Sequence, residues 1–160
     1  MLKKVVVTGA NGFLGTSLCK KLIREGVEIF AVVREGTKEV VEGGGNGKVK
    51  MVYCNLSEYG KLAQYINEGE IDTLFHFAWA GVNGEYKSSC EVQLANIRAA
   101  CDIVYACKEM QCQRFVFPAT ISEYGIYEMM KTECSPPVNS LYHSAKLAAD
   151  YFVRTIAGGM

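Results

Sequence analysis

Short apolar runs alternate along this chain with stretches in which apolar residues recur every three or four positions. Lys3–Thr8 is a β-branched run that ends at a glycine, and from Gly12 to Gly26 the residues Phe13, Leu14, Leu18, Leu22 and Ile23 fall at helical spacing. This predicts a strand, a tight turn and a helix. Val27–Val33, Lys48–Cys54, Asp72–Phe77 and Arg114–Pro118 predict four further buried strands, and helical spacing fills the gaps over Glu58–Asn67, Tyr86–Met110 and Leu141–Ile156. Strands that alternate with helices predict a parallel sheet with helices on both faces, a doubly wound α/β fold.

With 160 residues, 49% of them hydrophobic, the chain is long enough for one core and too short for two, so residues 1–160 are expected to form a single domain. Lys plus Arg and Asp plus Glu both number 17, and neither sign runs in a block. That balance argues against nucleic acid or an anionic membrane surface as a partner. Two lysines precede an apolar run that stops after three valines, too short for a secretory signal, and no segment is apolar for long enough to span a bilayer. A cytoplasmic protein is expected. The seven cysteines are odd in number, form no Cys-x-x-Cys pair and have two histidines for company, which points to reduced thiols and no metal site. The run Gly43-Gly44-Gly45-Asn46-Gly47-Lys48 lacks the hydroxyl residue and the helix that a phosphate loop needs after its lysine; Val49 opens a strand there, so the run is expected to be a flexible connection.

Three features carry chemistry. Gly9, Gly12 and Gly15 lie three apart between the first strand and the first helix, where glycine lets the backbone approach a pyrophosphate and the helix N-terminus offers amide donors. The second strand ends in Val32-Val33-Arg34 with no acid to bind a ribose hydroxyl; Arg34 would suit a 2′-phosphate, favouring NADP over NAD, or would be an ordinary solvated arginine. Tyr142 and Lys146 are four apart on the last helix and so share a face, and an ammonium near a phenol favours phenolate, as acid/base catalysis requires.

The glycine motif, the strand-end segment His76-Phe77-Ala78-Trp79-Ala80-Gly81, Asn96, the run Phe115–Thr120 leading to Tyr124-Gly125, and Tyr142-x-x-x-Lys146 together resemble, in order and spacing, the extended short-chain dehydrogenase/reductases of the NAD-dependent epimerase/dehydratase family. The resemblance implies a Rossmann-like sheet of strand order 3-2-1-4-5 that binds NADP or NAD. It places the cofactor against Gly9, Asn11, Gly12, Phe13, Leu14, Gly15, Arg34, Asn55, Leu56, Phe77, Ala78, Trp79, Ala80, Asn96, Tyr142 and Lys146. It makes Tyr142 the general acid/base, Lys146 the residue that orients the nicotinamide ribose, and Thr120 the catalytic hydroxyl. Asn55 stands where the family commonly has Asp, and serves the adenine or the start of a helix with Ser57.

Departures from the family pattern narrow the expected reaction. Ile121-Ser122 stands where sugar-nucleotide dehydratases carry Asp-Glu, and Glu123 comes one position late, so epimerisation or reduction is expected in place of dehydration. Trp79 replaces a small residue and either walls the pocket or packs the core. Family members continue beyond the point where this chain ends, at Ala157–Met160, with residues that finish the sheet and build the substrate domain; a chain without them is expected to oligomerise or to be marginally stable. The expected activity is an NAD(P)-dependent epimerase acting on a nucleotide sugar. The alternatives are an NADPH-consuming reductase and a dinucleotide-binding sensor or scaffold without turnover. The long helix over 86–110 would pair two copies in a homodimer or serve the core.

Overall fold

The computed structural model describes residues 2–38, 47–121, 124, 131 and 141–159. The expected glycine-rich connection at 43–46, the Ser122, Glu123 and Gly125 positions and Cys134 lie outside the described residues. Two compact units are present, one formed by Met1–Ala78 with Asp102–Phe117 and the other by Trp79–Cys101 with Pro118–Met160.

The first unit holds a five-stranded parallel sheet: β1 (Lys4–Thr8), β2 (Glu28–Val33), β3 (Val49–Tyr53), β4 (Thr73–His76) and β5 (Phe115–Val116), in the order β3-β2-β1-β4-β5. The order 3-2-1-4-5 is the one expected. Register aligns Thr8 with Val32 on one side and with His76 on the other, so β1, β2 and β4 end together at one edge. Because side chains alternate along a strand, Val5, Val7, Ile29, Ala31 and Val33 share one face, and they are buried in a core with Cys19, Leu22 and Ile23 of α1 (Phe13–Arg24). Val6, Phe30 and Val32 on the opposite face are equally buried. A parallel sheet buried on both faces is why these strands read as continuous apolar runs.

Three element boundaries differ from expectation. In place of one helix over 58–67, a 3-10 helix, Leu56–Lys61, leads into a five-residue α2, Leu62–Ile66. Gly60 sits in the middle and disfavours a continuous α-helix. The long helix starts later, as α3 (Cys90–Glu109): Glu85–Ser88 form a separate 3-10 turn, Ser89 is extended, and its Oγ caps α3 by accepting the Val92 N–H at 3.4 Å. Ser and extended backbone thus interrupt a spacing that continues as helix on either side. β5 is only two residues long, because Pro118 has no N–H to give to a ladder. The last helix, α4, runs Leu141–Gly158 and belongs to the second unit, whereas α3 begins in the second unit and its residues from Asp102 belong to the first. Among the described residues no helix is long and apolar enough to cross a membrane.

Candidate functional site

In the first unit the chain leaves β1 through a turn that only glycine fits. Gly9 has φ +64°, and a Cβ there would lie 2.8 Å from the Ala78 backbone nitrogen; a Cβ on Gly15 would lie 2.2 Å from the Gly9 carbonyl oxygen. The main chain therefore passes close to β4's exit and close to itself. Gly12 donates its N–H to the Gly9 carbonyl at 2.9 Å and occupies the N-cap of α1 without any side-chain cap, and no acid stands in the first turn. The helix begins with open amide donors and a positive dipole end, the condition for receiving an anion such as a pyrophosphate. Asn11, Phe13 and Leu14 beside it are exposed, Phe13 to 89%.

Other residues expected near a dinucleotide follow the carboxyl ends of the same strands. Arg34 follows β2 and is exposed; Asn55 and Leu56 follow β3, with Asn55 at the N-cap position of the 3-10 helix but making no side-chain cap. Phe77 and Ala78 follow β4, their N–H groups given to the Thr8 carbonyl at 3.2 Å and to Thr8 Oγ1 at 3.3 Å. The strand order reverses direction between β1 and β4, and the crevice at such a point is where doubly wound sheets take ligands. Beneath it the Thr8 hydroxyl also meets buried His76 Nδ1 at 2.8 Å, and the His76 ring stacks on Phe117 with Tyr59 edge-on. Burial holds the Tyr59 phenol well above its ordinary range. These groups are structural support for the strand ends.

The second unit brings Tyr142, Lys146, Trp79, Ala80 and Asn96 together. Lys146, on the buried face of α4, donates from Nζ to the Pro118 carbonyl at 3.2 Å and stands 4.2 Å from the centre of the Trp79 ring. A buried ammonium requires such compensation, and an indole face supplies it. The Tyr142 ring meets the same indole edge-on, with centres 6.2 Å apart. Lys87 Nζ lies 5.5 Å from the centre of the Tyr142 ring. Burial, and then the Lys87 ammonium, hold neighbouring His143 below its ordinary pKa. Asn96, fully buried on α3, fastens Ala80 from both sides, accepting its N–H at 2.8 Å and donating to its carbonyl at 2.9 Å. Thr120 is half-buried in this unit. The sequence reading missed Gln93 and Lys87. Gln93 carried a signal, being a polar residue three before Asn96 on the helix face that continues as Ala100, Ile103 and Cys107, all buried.

The sequence model of the NAD dependent epimerase/dehydratase family matches residues 5–159. Among curated proteins, the chain is 32% identical to a 2-alkyl-3-oxoalkanoate reductase of Shewanella oneidensis over 72% of its own length and 28% of that protein. It is 22% identical to a UDP-glucose 4-epimerase of Klebsiella pneumoniae, over 76% of this chain and 92% of the other. Among solved structures, a UDP-glucose 4-epimerase from Bifidobacterium longum in complex with NAD+ and UDP superposes with a TM-score of 0.77 at 22% identity, covering 98% of this chain and 50% of that one. The chain thus spans about half the length of that structure.

Proposed function

Since the chain belongs to the NAD dependent epimerase/dehydratase family, we propose that it is the dinucleotide-binding part of an NAD(P)-dependent epimerase acting on a nucleotide sugar, with Tyr142 and Lys146 as the acid/base pair. The observation that carries this reading is the pair itself: a buried lysine and a tyrosine four residues apart on α4, both against the Trp79 ring. The glycine loop fits a dinucleotide. Its two closest backbone approaches leave no space for a Cβ, and the uncapped start of α1 is suited to the pyrophosphate. In the first unit, Asn11, Phe13, Leu14, Asn55, Leu56, Phe77 and Ala78 would line the dinucleotide, with Arg34 at its adenosine ribose; Trp79, Ala80 and Asn96 of the second unit are assigned to the cofactor by the family resemblance alone. A bound nicotinamide would supply acceptance and return of hydride.

The protein's own groups would handle the proton. Tyr142, as phenolate, takes the proton of the sugar hydroxyl and later returns it. The Lys146 ammonium favours that phenolate and orients a ribose. Thr120 Oγ would hydrogen-bond the oxygen that alternates between alcohol and ketone. Ile121-Ser122 supplies no acid for eliminating water, consistent with epimerisation. Pairing of two copies, and a cytoplasmic location, belong to the same proposal.

The test is a titration of the purified chain with NADH and NADPH, followed through fluorescence of its single tryptophan, together with assay of UDP-glucose and NAD+ for UDP-galactose. Saturable quenching that Tyr142→Phe spares is expected, and any turnover is expected to be lost in Tyr142→Phe. Unchanged turnover in Tyr142→Phe would remove the mechanism, and a folded chain without saturation would remove the dinucleotide site. A second reading, an NADPH-consuming reductase, is favoured by Arg34 and by the similarity to the Shewanella oxoalkanoate reductase; stoichiometric NADPH oxidation with a 3-oxoalkanoate separates it from an epimerase.

A further inference from the structure

Trp79 touches both members of the proposed acid/base pair, and its own position is set by hydrogen bonds. Its Nε1 donates to Gln93 Oε1 at 3.0 Å. Gln93 is 2% exposed and is fixed in turn: Nε2 donates to the carbonyls of Gly81 at 3.2 Å and Tyr86 at 3.1 Å, while Oε1 also accepts from Asn96 Nδ2 at 3.2 Å. Asn96 holds both backbone groups of Ala80, the next residue. The indole is therefore anchored to α3 through its side chain and through the backbone that follows it. The hydrogen bond from Nε1 and the full satisfaction of the glutamine amide fix the rotation of the indole as well as its position. At the other end, the ring presents its face to the Lys146 ammonium and meets the Tyr142 ring in a T-shaped contact. An indole face favours the charged form of a buried lysine, which a water-excluded site would otherwise neutralise or expel.

We infer that Trp79 and Gln93 are positioning residues for the Tyr142–Lys146 pair: the indole face keeps the buried Lys146 ammonium charged and in place on the tyrosine's face of α4, and Gln93 sets the orientation of the indole. This inference rests on the reading of Tyr142 as the acid/base. Among the described residues, Lys87, from the 3-10 turn, and His143, beside it on α4, also stand against Tyr142. Lys87→Met is therefore the control for a simple change in local charge.

The experiment reads the Tyr142 phenol directly, in the full chain labelled with [13Cζ]tyrosine. Its resonance, one of nine tyrosines, is identified by its loss in Tyr142→Phe. Trp79→Leu and Lys146→Met are each expected to raise the Tyr142 titration midpoint, by about one pH unit. Trp79→Leu should add little in the Lys146→Met background, since it acts through the lysine, but should act undiminished in the Lys87→Met background. Trp79→Phe, which keeps a ring face, should retain most of the wild-type midpoint, and Gln93→Leu should shift it by less than Trp79→Leu. A folded Trp79→Leu protein with an unmoved midpoint would overturn the inference, as would a shift equally large without Lys146. Should Trp79→Leu fail to fold, Gln93→Leu decides, and an unmoved midpoint there overturns it. An active Tyr142→Phe enzyme would remove the acid/base role while leaving the coupling measurable, so the two failures are distinguishable.

Discussion

Individual side chains in this fold are constrained most tightly where backbone meets backbone. A methyl group on Gly15 would collide with the Gly9 carbonyl oxygen at 2.2 Å and the Ala10 Cα at 2.7 Å, and neither is the free end of a flexible side chain. Gly15→Ala is expected to cost about 2 kcal/mol or more in urea denaturation, and to weaken NADH binding along with it. Asp72 gives a different kind of prediction. Its Oδ2 accepts the backbone N–H groups of Lys4 at 2.7 Å and Lys3 at 2.6 Å, which hold its carboxyl below the ordinary aspartate range. A depressed folded-state pKa contributes stability that is present above the unfolded value and lost as pH falls through the folded one. Thermal melts should therefore show Asp72→Asn less stable than wild type near neutrality, with the gap closing as pH drops below about 3.8; a constant gap would mean that the carboxylate's charge is immaterial. The glycines, Trp79, Tyr142 and Lys146 were legible in the sequence because each stands at a fixed spacing from a recognisable strand or helix. Gln93 left only the faint signal of a polar residue on the buried face of α3, and Lys87 left none, because the fold alone brings it against the Tyr142 ring.

Among the elements, the two longer helices with a described C-terminus in the first unit end by the same device. After α1, the Val27 N–H bonds the Leu22 carbonyl at 3.0 Å and the Gly26 N–H bonds that of Ile23 at 3.1 Å; after α3, Cys112 bonds Cys107 at 2.8 Å and Gln111 bonds Lys108 at 3.0 Å. Both are Schellman closures, which need a left-handed residue at the turn. α1 has glycine there, whereas α3 has Gln111 at φ +52°. Left-handed backbone is costly for a residue with a Cβ, partly offset by glycine's greater freedom in the unfolded chain. Gln111→Gly should therefore stabilise the protein by ~0.5–1 kcal/mol in chemical denaturation, and a loss of stability would mean that the glutamine side chain supports the turn. The same comparison explains how far the elements could be read from the sequence. α1 was bounded by glycines at both ends, and the sequence marked them. The end of α3 lacked its expected glycine, its start was hidden by a 3-10 turn with helix-like spacing, and α2 was overextended across Gly60. The strands were legible because a sheet buried on both faces demands unbroken apolar runs, and β5 fell short only where proline withdrew a donor.

For the whole molecule, equal charge numbers and exposed apolar helix faces act in the same direction. Leu94 and Tyr105 lie on one face of α3, 59% and 52% exposed, and Leu141, Tyr151 and Phe152 are exposed on α4. Within the second unit a groove of about 170 Å³ is lined by Leu94, Ile97, Leu141, Ala145 and Ala148 among others. Apolar surface of this kind favours association, and a chain with 17 basic and 17 acidic side chains has no net repulsion to oppose it near its isoelectric point of about 6.7. Self-association, which the proposed pairing of two copies requires, should thus be strongest near pH 6.7 and should weaken as pH rises and the chain becomes anionic. Sedimentation velocity across a concentration series would measure it. Leu94→Glu places a charge on the α3 face and in the groove at once, and should shift the population toward monomer without changing the far-ultraviolet circular dichroism. If the oligomeric state instead ignores both pH and Leu94→Glu, pairing does not use this face, and the long helix owes its apolar pattern to the core alone.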